Sequence, residues 1–311
     1  MLGCDYMRAL VVYNNFSGRS KASKRLDYVC EMLKTKYEVV ECFASCGPKS
    51  ITSYIASCGY SFDFILAIGG DGSVHEAING IMMLEKKPKI AYIPTGTCND
   101  SAKTLGLGKN IKKTMKKIIE GNSSKLDVFK INDSYFVYGL AAGMLTEISY
   151  DASHESKKNM GKLAYYLQGL KAYKDTKTIT VRVETESKRI EGSFSMLLAL
   201  NTRYLAGFKI HRKRRIYLND GTLRVTMIKK TRKLYNLIDF AMFLIFGELY
   251  THNMIYFDAK SIDITSASPI DFNTDGEFYG TFNTTHVEII PHAIDIVLSE
   301  RVLKRHFHQK S

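Results

Sequence analysis

Apolar positions along the first 126 residues recur with two periods. Short continuous runs, Ala9 to Tyr13, Phe64-Ile-Leu-Ala-Ile68 and Ile90-Ala-Tyr-Ile93, predict buried strands. Ala22, Leu26, Val29, Cys30 and Leu33 follow a 3.6-residue spacing and predict a helix, as does the amphipathic stretch Glu76 to Leu84. From Ile111 to Glu120, Ile111, Met115, Ile118 and Ile119 fall on one side, and Lys112, Lys113, Lys116 and Lys117 on the other. A short helix is predicted from Ser101 to Leu105. Strand and helix alternate, which predicts a mostly parallel sheet covered by helices. After about Leu126 strand-like runs dominate: Asp127–Ile131, Tyr135–Leu140, Thr178–Glu184, Gly192–Leu200, Leu223–Lys230, Met254–Thr265 and His286–Ile290. Helical patterns interrupt them at Lys162–Tyr173 and Arg232–Gly247, and a last run, Ala293–Leu298, follows. The expectation is an α/β chain of two domains. Residues 1–126 form an α/β domain with a mostly parallel sheet, and residues 127–292 a largely antiparallel, sandwich-like β-domain with helical insertions.

The loops between the first strands carry the candidate chemistry. In Gly69-Gly-Asp-Gly72 a tight turn joins a strand to a helix, and its glycines let the backbone approach a ligand where a Cβ would clash. Main-chain N–H groups at such a turn, with a helix N-terminus behind them, make an anion site, most simply for phosphate. Asp71 inside the turn predicts that a cation or a hydroxyl is handled there as well. Two further loops follow apolar strands and precede helices: Asn14-Asn-Phe-Ser-Gly18 and Pro94-Thr-Gly-Thr-Cys-Asn-Asp100. Each alone reads as a plain turn, with Asp100 as a helix N-cap. Three such loops at the C-terminal ends of three strands fit the crevice of an open α/β sheet.

Together these segments resemble a known family. Gly69–Asn79 is similar to the GGDGT-x-N-E-x-x-N-G signature of the diacylglycerol kinase catalytic family, which includes soluble bacterial lipid kinases and sphingosine kinases. Pro94–Asp100 resembles its P-x-G-T-x-N-D loop. Gly161–Gly169, Asn201–Phe208, Leu218–Gly221, Gly247–Tyr250 and Thr274–Glu277 fall in the family's order. The resemblance runs from about residue 8 to about 298. Three positions depart from it: Ser73 stands where threonine is usual, His75 where asparagine is usual, and Asn15 where proline is common.

Phosphoryl transfer needs positioning, charge neutralisation and a group that accepts the acceptor's proton. Asn14, Asn15, Phe16, Ser17, Gly18, Gly69, Gly70, Asp71, Gly72, Ser73 and Thr97 are candidates to hold ATP phosphates, with His75 beside them on the first turn of a helix. No Walker A lysine and no protein-kinase motif set is present. Asp71, Asp100 and Asp127 are candidate Mg²⁺ partners, as hard oxygen ligands. The resemblance implies that they form a water-linked network around the catalytic Mg²⁺. Read alone, Asn273-Thr-Asp-Gly-Glu277 is a hairpin turn. The resemblance makes Glu277 the general base, alongside Asp71 as a catalytic residue, with Asp275 shaping the turn. Asn219-Asp-Gly221 likewise reads as a β-turn. There the resemblance implies a structural Mg²⁺ held by Asp220 with carbonyls near Tyr217 and Thr222. It also implies that residues from about 293 to 311 return to the first domain.

Composition narrows the partners. The chain has 311 residues, 45% hydrophobic and 24% charged, which suits a globular protein of two domains. Its first residues lack the apolar core of a signal peptide. Leu237–Phe246 is too short to span a bilayer, contains Asp239, and reads as a buried helix. The six cysteines show no metal-type spacing and read as reduced thiols. The tail His306-x-His308 reads as a frayed end. A net charge of +13 implies an acidic partner. Basic residues cluster at Lys109–Lys117, Lys157–Lys162, Lys171–Lys177, His211–Arg215 and Lys229–Lys233, without nucleic-acid-binding motifs. An anionic membrane surface is therefore expected, and nucleic acid is not. The expected activity is ATP- and Mg²⁺-dependent phosphorylation of diacylglycerol to phosphatidic acid, in the cytoplasm at the inner face of the membrane. The alternatives are a kinase for another lipid alcohol or sphingoid base, more remotely an NAD kinase, and a catalytically silent membrane-binding relative. A homodimer is left open.

Overall fold

The computed structural model describes residues 6–14, 19–96, 99–108, 110–144, 146, 178–205 and 207–308. Asn15 to Gly18, Thr97, Cys98, the basic clusters at 157–162 and 171–177, the Gly161–Gly169 stretch and the helical pattern at Lys162–Tyr173 lie outside the described residues. The chain divides into two compact units, Met1–Val128 with Pro291–Ser311, and Phe129–Ile290.

In the first unit the apolar runs become β1 (Arg8–Asn14), β3 (Phe64–Gly69) and β4 (Lys89–Pro94), joined by β2 (Val39–Ser45). β1 pairs in parallel with β2 and β3, and β3 in parallel with β4. The last stretch of β15 (Glu277–Leu298) pairs in parallel with β4 through Ile296 and Ile90. β1, β3 and β4 are buried on both faces, which explains their continuous apolar runs. On one face Ala9, Val11, Phe64, Leu66, Ala91 and Ile93 pack with Val29 and Leu33 of α1 (Arg19–Lys34) and with Met115 and Ile118 of α5 (Ile111–Ile119). α2 (Ser50–Cys58) and α3 (Asp71–Met82) pack against each other so closely that a Cβ on Gly80 would lie 2.7 Å from the Ile55 Cβ. Glu76 of α3 fixes that contact, accepting the main-chain N–H groups of Lys49 (3.1 Å) and Ile51 (3.0 Å) at the start of α2. Glu76 thus caps α2 rather than its own helix. α4 (Asp100–Thr104) follows β4, and α7 (Glu300–His306) closes the unit. His306 is buried, so the tail read as frayed packs down as far as the end of α7.

Two strands cross the unit boundary, β5 (Asn122–Ile131) and β15. In the second unit β6 (Ser134–Phe136) pairs antiparallel with β5. β7 (Gly139–Gly143), β8 (Ile179–Glu184), β9 (Arg189–Leu200), β12 (Leu223–Lys229), β13 (Met254–Ala259), β14 (Ser261–Thr274) and β15 are joined antiparallel in the order β13-β12-β9-β7-β14-β15, with β8 between β9 and β14. Short strands β10 (Tyr204–Leu205) and β11 (Phe208–Lys209) make a separate hairpin. α6 (Lys233–Phe246) covers one face of the sheet. Its Phe240, Phe243 and Leu244 pack on Met196, Leu198 and Leu200 of β9 and Ile228 of β12. The other face of β9 contributes Leu197 and Ala199 to a larger core with Phe129, Phe136, Leu223, Val225 and Phe272.

Two details differ from the periodicity. The single run expected at Tyr135–Leu140 is broken at Val137–Tyr138, because Val137 and Tyr138 give their N–H groups to Asp275 rather than to a neighbouring strand. And α6, read as a buried helix, is buried on one side only, with Leu234, Tyr235, Ile238 and Ile245 exposed.

The end of α6 is tied to the loop before β12. Gly247, at φ 62°, is pressed against this loop: a Cβ there would lie 1.9 Å from the Ile210 carbonyl oxygen. Next to it Glu248 accepts the N–H groups of Lys213 (2.6 Å) and Arg214 (2.8 Å) and faces His211 Nδ1 at 3.1 Å. Burial alone would raise the Glu248 pKa, but the His211 ring and these two N–H groups outweigh it and hold it at about 2.

Two outcomes follow for stability. Gly80→Val forces α2 and α3 apart and lowers the unfolding free energy by roughly 1–3 kcal/mol in urea titrations. The depressed Glu248 pKa contributes stability that is fully present above its unfolded value of 4.5 and is lost as pH falls toward about 2. Allowing for solvent screening, that contribution is about 1–2 kcal/mol. Glu248→Gln should lack this acid-labile portion when unfolding is compared at neutral and acid pH.

Candidate functional site

Parallel register brings the ends of β1, β3 and β4 level. Tyr13 is opposite Ile68 and Gly69 opposite Pro94, so Asn14, Gly69 and Pro94 finish their strands side by side. The two loops that leave β3 and β4 touch main chain to main chain. Gly69 carbonyl oxygen accepts from Thr95 N–H (2.7 Å) and Gly96 N–H (3.3 Å), and a Cβ on Gly96 would lie 2.6 Å from the Gly70 Cα. The glycines of the first loop thus serve loop-to-loop packing. Gly69 also makes room for Ser73, whose Oγ sits 2.1 Å from where a Gly69 Cβ would be. Ser73 is buried beneath the turn.

Asp71 is the first residue of α3, and the helix cap is Gly70, which has no side chain with which to cap. The Asp71 carboxylate reaches the start of α4 instead, accepting from Asp100 N–H (3.2 Å) and Ser101 Oγ (2.5 Å). Asn99 takes a left-handed conformation, φ 50°, and its amide donates to the Gly96 carbonyl (2.6 Å). Tyr92, inside β4, donates from its hydroxyl to Asn99 Oδ1 (3.0 Å). Burial, and then the negative charge of Asp71, push the Tyr92 phenol well above its usual pKa, so it stays a donor. Asp100 is not the cap of α4 but its first residue. Its buried carboxylate pairs with Lys103 at 2.7 Å. His75 lies on the first turns of α3, with the Asn79 amide 3.3 Å from its Nε2. Asp127 is buried in β5 and accepts from His292 N–H (2.8 Å) where β15 turns with a left-handed residue, φ 54°.

In the second unit the Thr274–Glu277 turn is a two-residue hairpin with positive φ at Asp275 (52°) and Gly276 (89°), as Asp-Gly favours. Asp275 does more than shape it. Its buried carboxylate accepts from the N–H groups of Val137 (3.0 Å), Tyr138 (2.9 Å) and Gly139 (3.1 Å). Asp275 N–H returns a bond to the Gly139 carbonyl (2.7 Å), and Tyr138 hydroxyl donates to the Asp275 carbonyl (2.5 Å). The turn is therefore clamped to the start of β7, and Glu277, the next residue after Gly276, is exposed on it. Beside it Asn273 keeps a buried Oδ1 without a hydrogen-bond partner.

Asp220 lies in the turn before β12. One carboxylate oxygen accepts from Thr222 N–H (3.1 Å) and the other from the guanidinium of Arg224, which is itself buried and donates to Asn201 Oδ1 (3.0 Å). The Asp220–Arg224 pair, four residues apart, is readable in the sequence, as is Asp100–Lys103 at three. Glu76 and Asp275 are not, because their donors come from segments distant in the chain. Among the described residues no group of three His, Cys, Asp or Glu side chains is arranged to hold a metal ion. No helix of the described residues is long and apolar enough to cross a membrane.

Residues 8–131 match the model of the diacylglycerol kinase catalytic domain, and residues 141–298 that of the YegS C-terminal NAD kinase beta sandwich-like domain. The chain is 32% identical to a diacylglycerol kinase of Staphylococcus carnosus over 293 residues, 92% of this chain and 93% of that protein. It is 29% identical to the diacylglycerol kinase of Bacillus subtilis over 297 residues, 94% of this chain and 97% of that one. A crystal structure of a provisionally named diacylglycerol kinase from Bacillus anthracis superposes with a TM-score of 0.81 at 26% identity, over 96% of this chain and 97% of that one. The chain belongs to the diacylglycerol kinase family.

Proposed function

We propose that the protein transfers the γ-phosphate of ATP to the hydroxyl of diacylglycerol, giving phosphatidic acid. The observation that carries this reading is the joined pair of loops at the ends of β3 and β4, where an N-terminus capped only by glycine stands behind a backbone of glycines. That arrangement suits a polyphosphate. In this reading the first unit takes the nucleotide and the second the lipid. Asn14, Gly69, Gly70, Gly72, Ser73 and His75 are the candidates for the phosphate side, as are Asn15, Phe16, Ser17, Gly18 and Thr97 outside the described residues, and Lys103 adds positive charge beside Asp100.

When bound, Mg²⁺ supplies neutralisation of phosphate charge, with Asp71 and Asp100 as the oxygen donors offered to it. Asp127 joins them through water, one of its oxygens being committed to His292. The lack of a close trio among the described residues suits a cation held largely by water and phosphate oxygens. A second, structural Mg²⁺ held by the Asp220 side chain with carbonyls near Tyr217 and Thr222 would share the Asp220 carboxylate with the Arg224 guanidinium, as the first would share Asp100 with Lys103.

Glu277 is the general base. It is exposed, so a lipid hydroxyl can reach it, and it stands on a turn that Asp275 holds in place. A carboxylate that accepts the hydroxyl proton as the oxygen attacks phosphorus contributes roughly 10²–10⁴ in rate. Acting on a membrane lipid, the enzyme works at the surface of an anionic bilayer on the inner side of the membrane.

Transfer of radiolabel from ATP to mixed micelles, with diacylglycerol, sphingosine and NAD offered in parallel, tests the proposal. Labelled phosphatidic acid is expected, with kcat lowered roughly 10²–10⁴-fold in Glu277→Gln and KM for ATP little changed. Label in sphingosine alone would change the acceptor. Label in no acceptor would contradict the activity, and full activity in Glu277→Gln would move the base to another residue.

A further inference from the structure

Hydrophobic cores leave single apolar side chains on a surface, but seldom gather them. Here six large ones, Leu234, Tyr235, Ile238, Ile245, Phe246 and Leu249, are exposed within α6 and the turn after it. Leu234 is 66% exposed, Tyr235 55% and Ile238 46%. Leu234, Ile238, Ala241, Met242 and Ile245 recur at four, three, one and three residues, so they share one stripe of the helix. The opposite stripe, with Phe240, Phe243 and Leu244, is committed to the sheet. Asp239 is the only charged residue between Leu234 and Phe246, and it is turned inward, where it accepts from Tyr250 hydroxyl (2.5 Å) and Asn253 amide (3.0 Å). The outward face of α6 is thus an unbroken apolar surface.

Exposed positive charge lies at both ends of this face. Lys229, Lys230 and Arg232 precede α6. At its other end stands the loop His211-Arg-Lys-Arg-Arg215, of which Arg212 to Arg215 are exposed. Three contacts hold this loop there: Arg212 donates to the Ile245 carbonyl (2.5 Å), Glu248 accepts from Lys213 and Arg214 N–H, and Gly247 packs on Ile210. Arg214 also pairs with Asp258 at 3.0 Å, and Arg215 stacks over Tyr217, so part of the charge is shared within the unit.

We propose that the outward face of α6, with the basic segments at 229–232 and 212–215, is where this protein docks on a bilayer rich in anionic lipid. An apolar helix face flanked by lysine and arginine lies in the plane of a membrane interface, its side chains among the acyl chains and its cations at the headgroups. A second copy of the chain on this face would bring like-charged segments together, which opposes association. An anionic bilayer reverses that sign. α5 is a weaker candidate: its Met115 and Ile118 are buried in the first unit's core, so Lys112, Lys113, Lys116 and Lys117 offer charge without an apolar face to insert. The inference rests on the lipid kinase reading only for its biological sense, and vesicle binding is read separately from catalysis.

The test is sedimentation with phosphatidylglycerol–phosphatidylcholine vesicles and with phosphatidylcholine alone. Wild type is expected to bind the anionic vesicles, less so at high salt. The double variant I238D/I245D should partition about tenfold more weakly or worse, and K213E/R215E should weaken binding chiefly at low salt. A quadruple Lys→Gln variant at 112, 113, 116 and 117 should bind within about twofold of wild type by the same reasoning. Activity on short-chain diacylglycerol as monomers should be unchanged in I238D/I245D, which shows that the variant folds. Vesicle binding retained in I238D/I245D would overturn the proposal. So would sedimentation velocity showing a wild-type dimer that the variant dissolves while vesicle binding persists. Binding without activity on any lipid alcohol would leave the docking face standing and remove the kinase reading.

Discussion

A buried or half-buried carboxylate that accepts main-chain N–H groups from a distant segment is the interaction on which this structure depends. Asp275 holds residues 137–139, Asp71 holds the start of α4, Glu76 holds the start of α2, Glu248 holds residues 213 and 214, and Asp127 holds His292. Each bond is charge-assisted, and each meets donors that neither helix nor sheet can satisfy. Where the donors are buried, as at Asp275, removing the acceptor leaves N–H groups unpaired, at about 1–3 kcal/mol each. The loops of both units are therefore fixed by a few acidic side chains rather than by their own sequence.

Glycine completes the arrangement from the other side. Where carboxylates pull segments together, glycines let them meet: Gly96 against Gly70, Gly69 over Ser73, Gly80 against Ile55, Gly247 under Ile210. The Gly69-Gly-Asp-Gly72 turn thus has several duties at once. Gly69 and Gly70 accept the neighbouring loop, Asp71 ties down α4, and the start of α3 is left with only glycine as its cap. A signature that reads as one motif for phosphate is also the joint of two loops. The same pairing at Asp275 and Gly276 turns an ordinary hairpin into a rigid support for Glu277.

Much of this was legible in the chain. Continuous apolar runs marked β1, β3 and β4 because strands covered on both faces need no polar alternation. The 3.6-residue period marked α1 and α5 because each buries one side. The Asp-Gly turns at 220 and 275 were legible for the same local reason. What was hidden depends on partners far along the sequence. Nothing near Glu76 shows that it caps α2, and nothing near Tyr135–Leu140 shows that Asp275 will take three of its N–H groups and break the strand. α6 misled for a different reason: a helix apolar on both sides reads as buried, and hydropathy does not tell a core face from a face awaiting another apolar medium. The Arg224 guanidinium on Asp220 sits four residues away, within local reach of the turn that the Asp-Gly pair marks.

The positioning of Glu277 by the Asp275 carboxylate is the point on which the proposed chemistry of the second unit turns. The measurement is kcat and KM for ATP in Asp275→Ala and Asp275→Asn, on protein shown by circular dichroism to be folded. Asp275→Ala is expected to lower kcat roughly 10–100-fold with KM for ATP nearly unchanged, and asparagine, which keeps one oxygen acceptor, to restore part of the loss. A folded Asp275→Ala enzyme with wild-type kcat would contradict that positioning, because Glu277 would then need no support from the clamped turn.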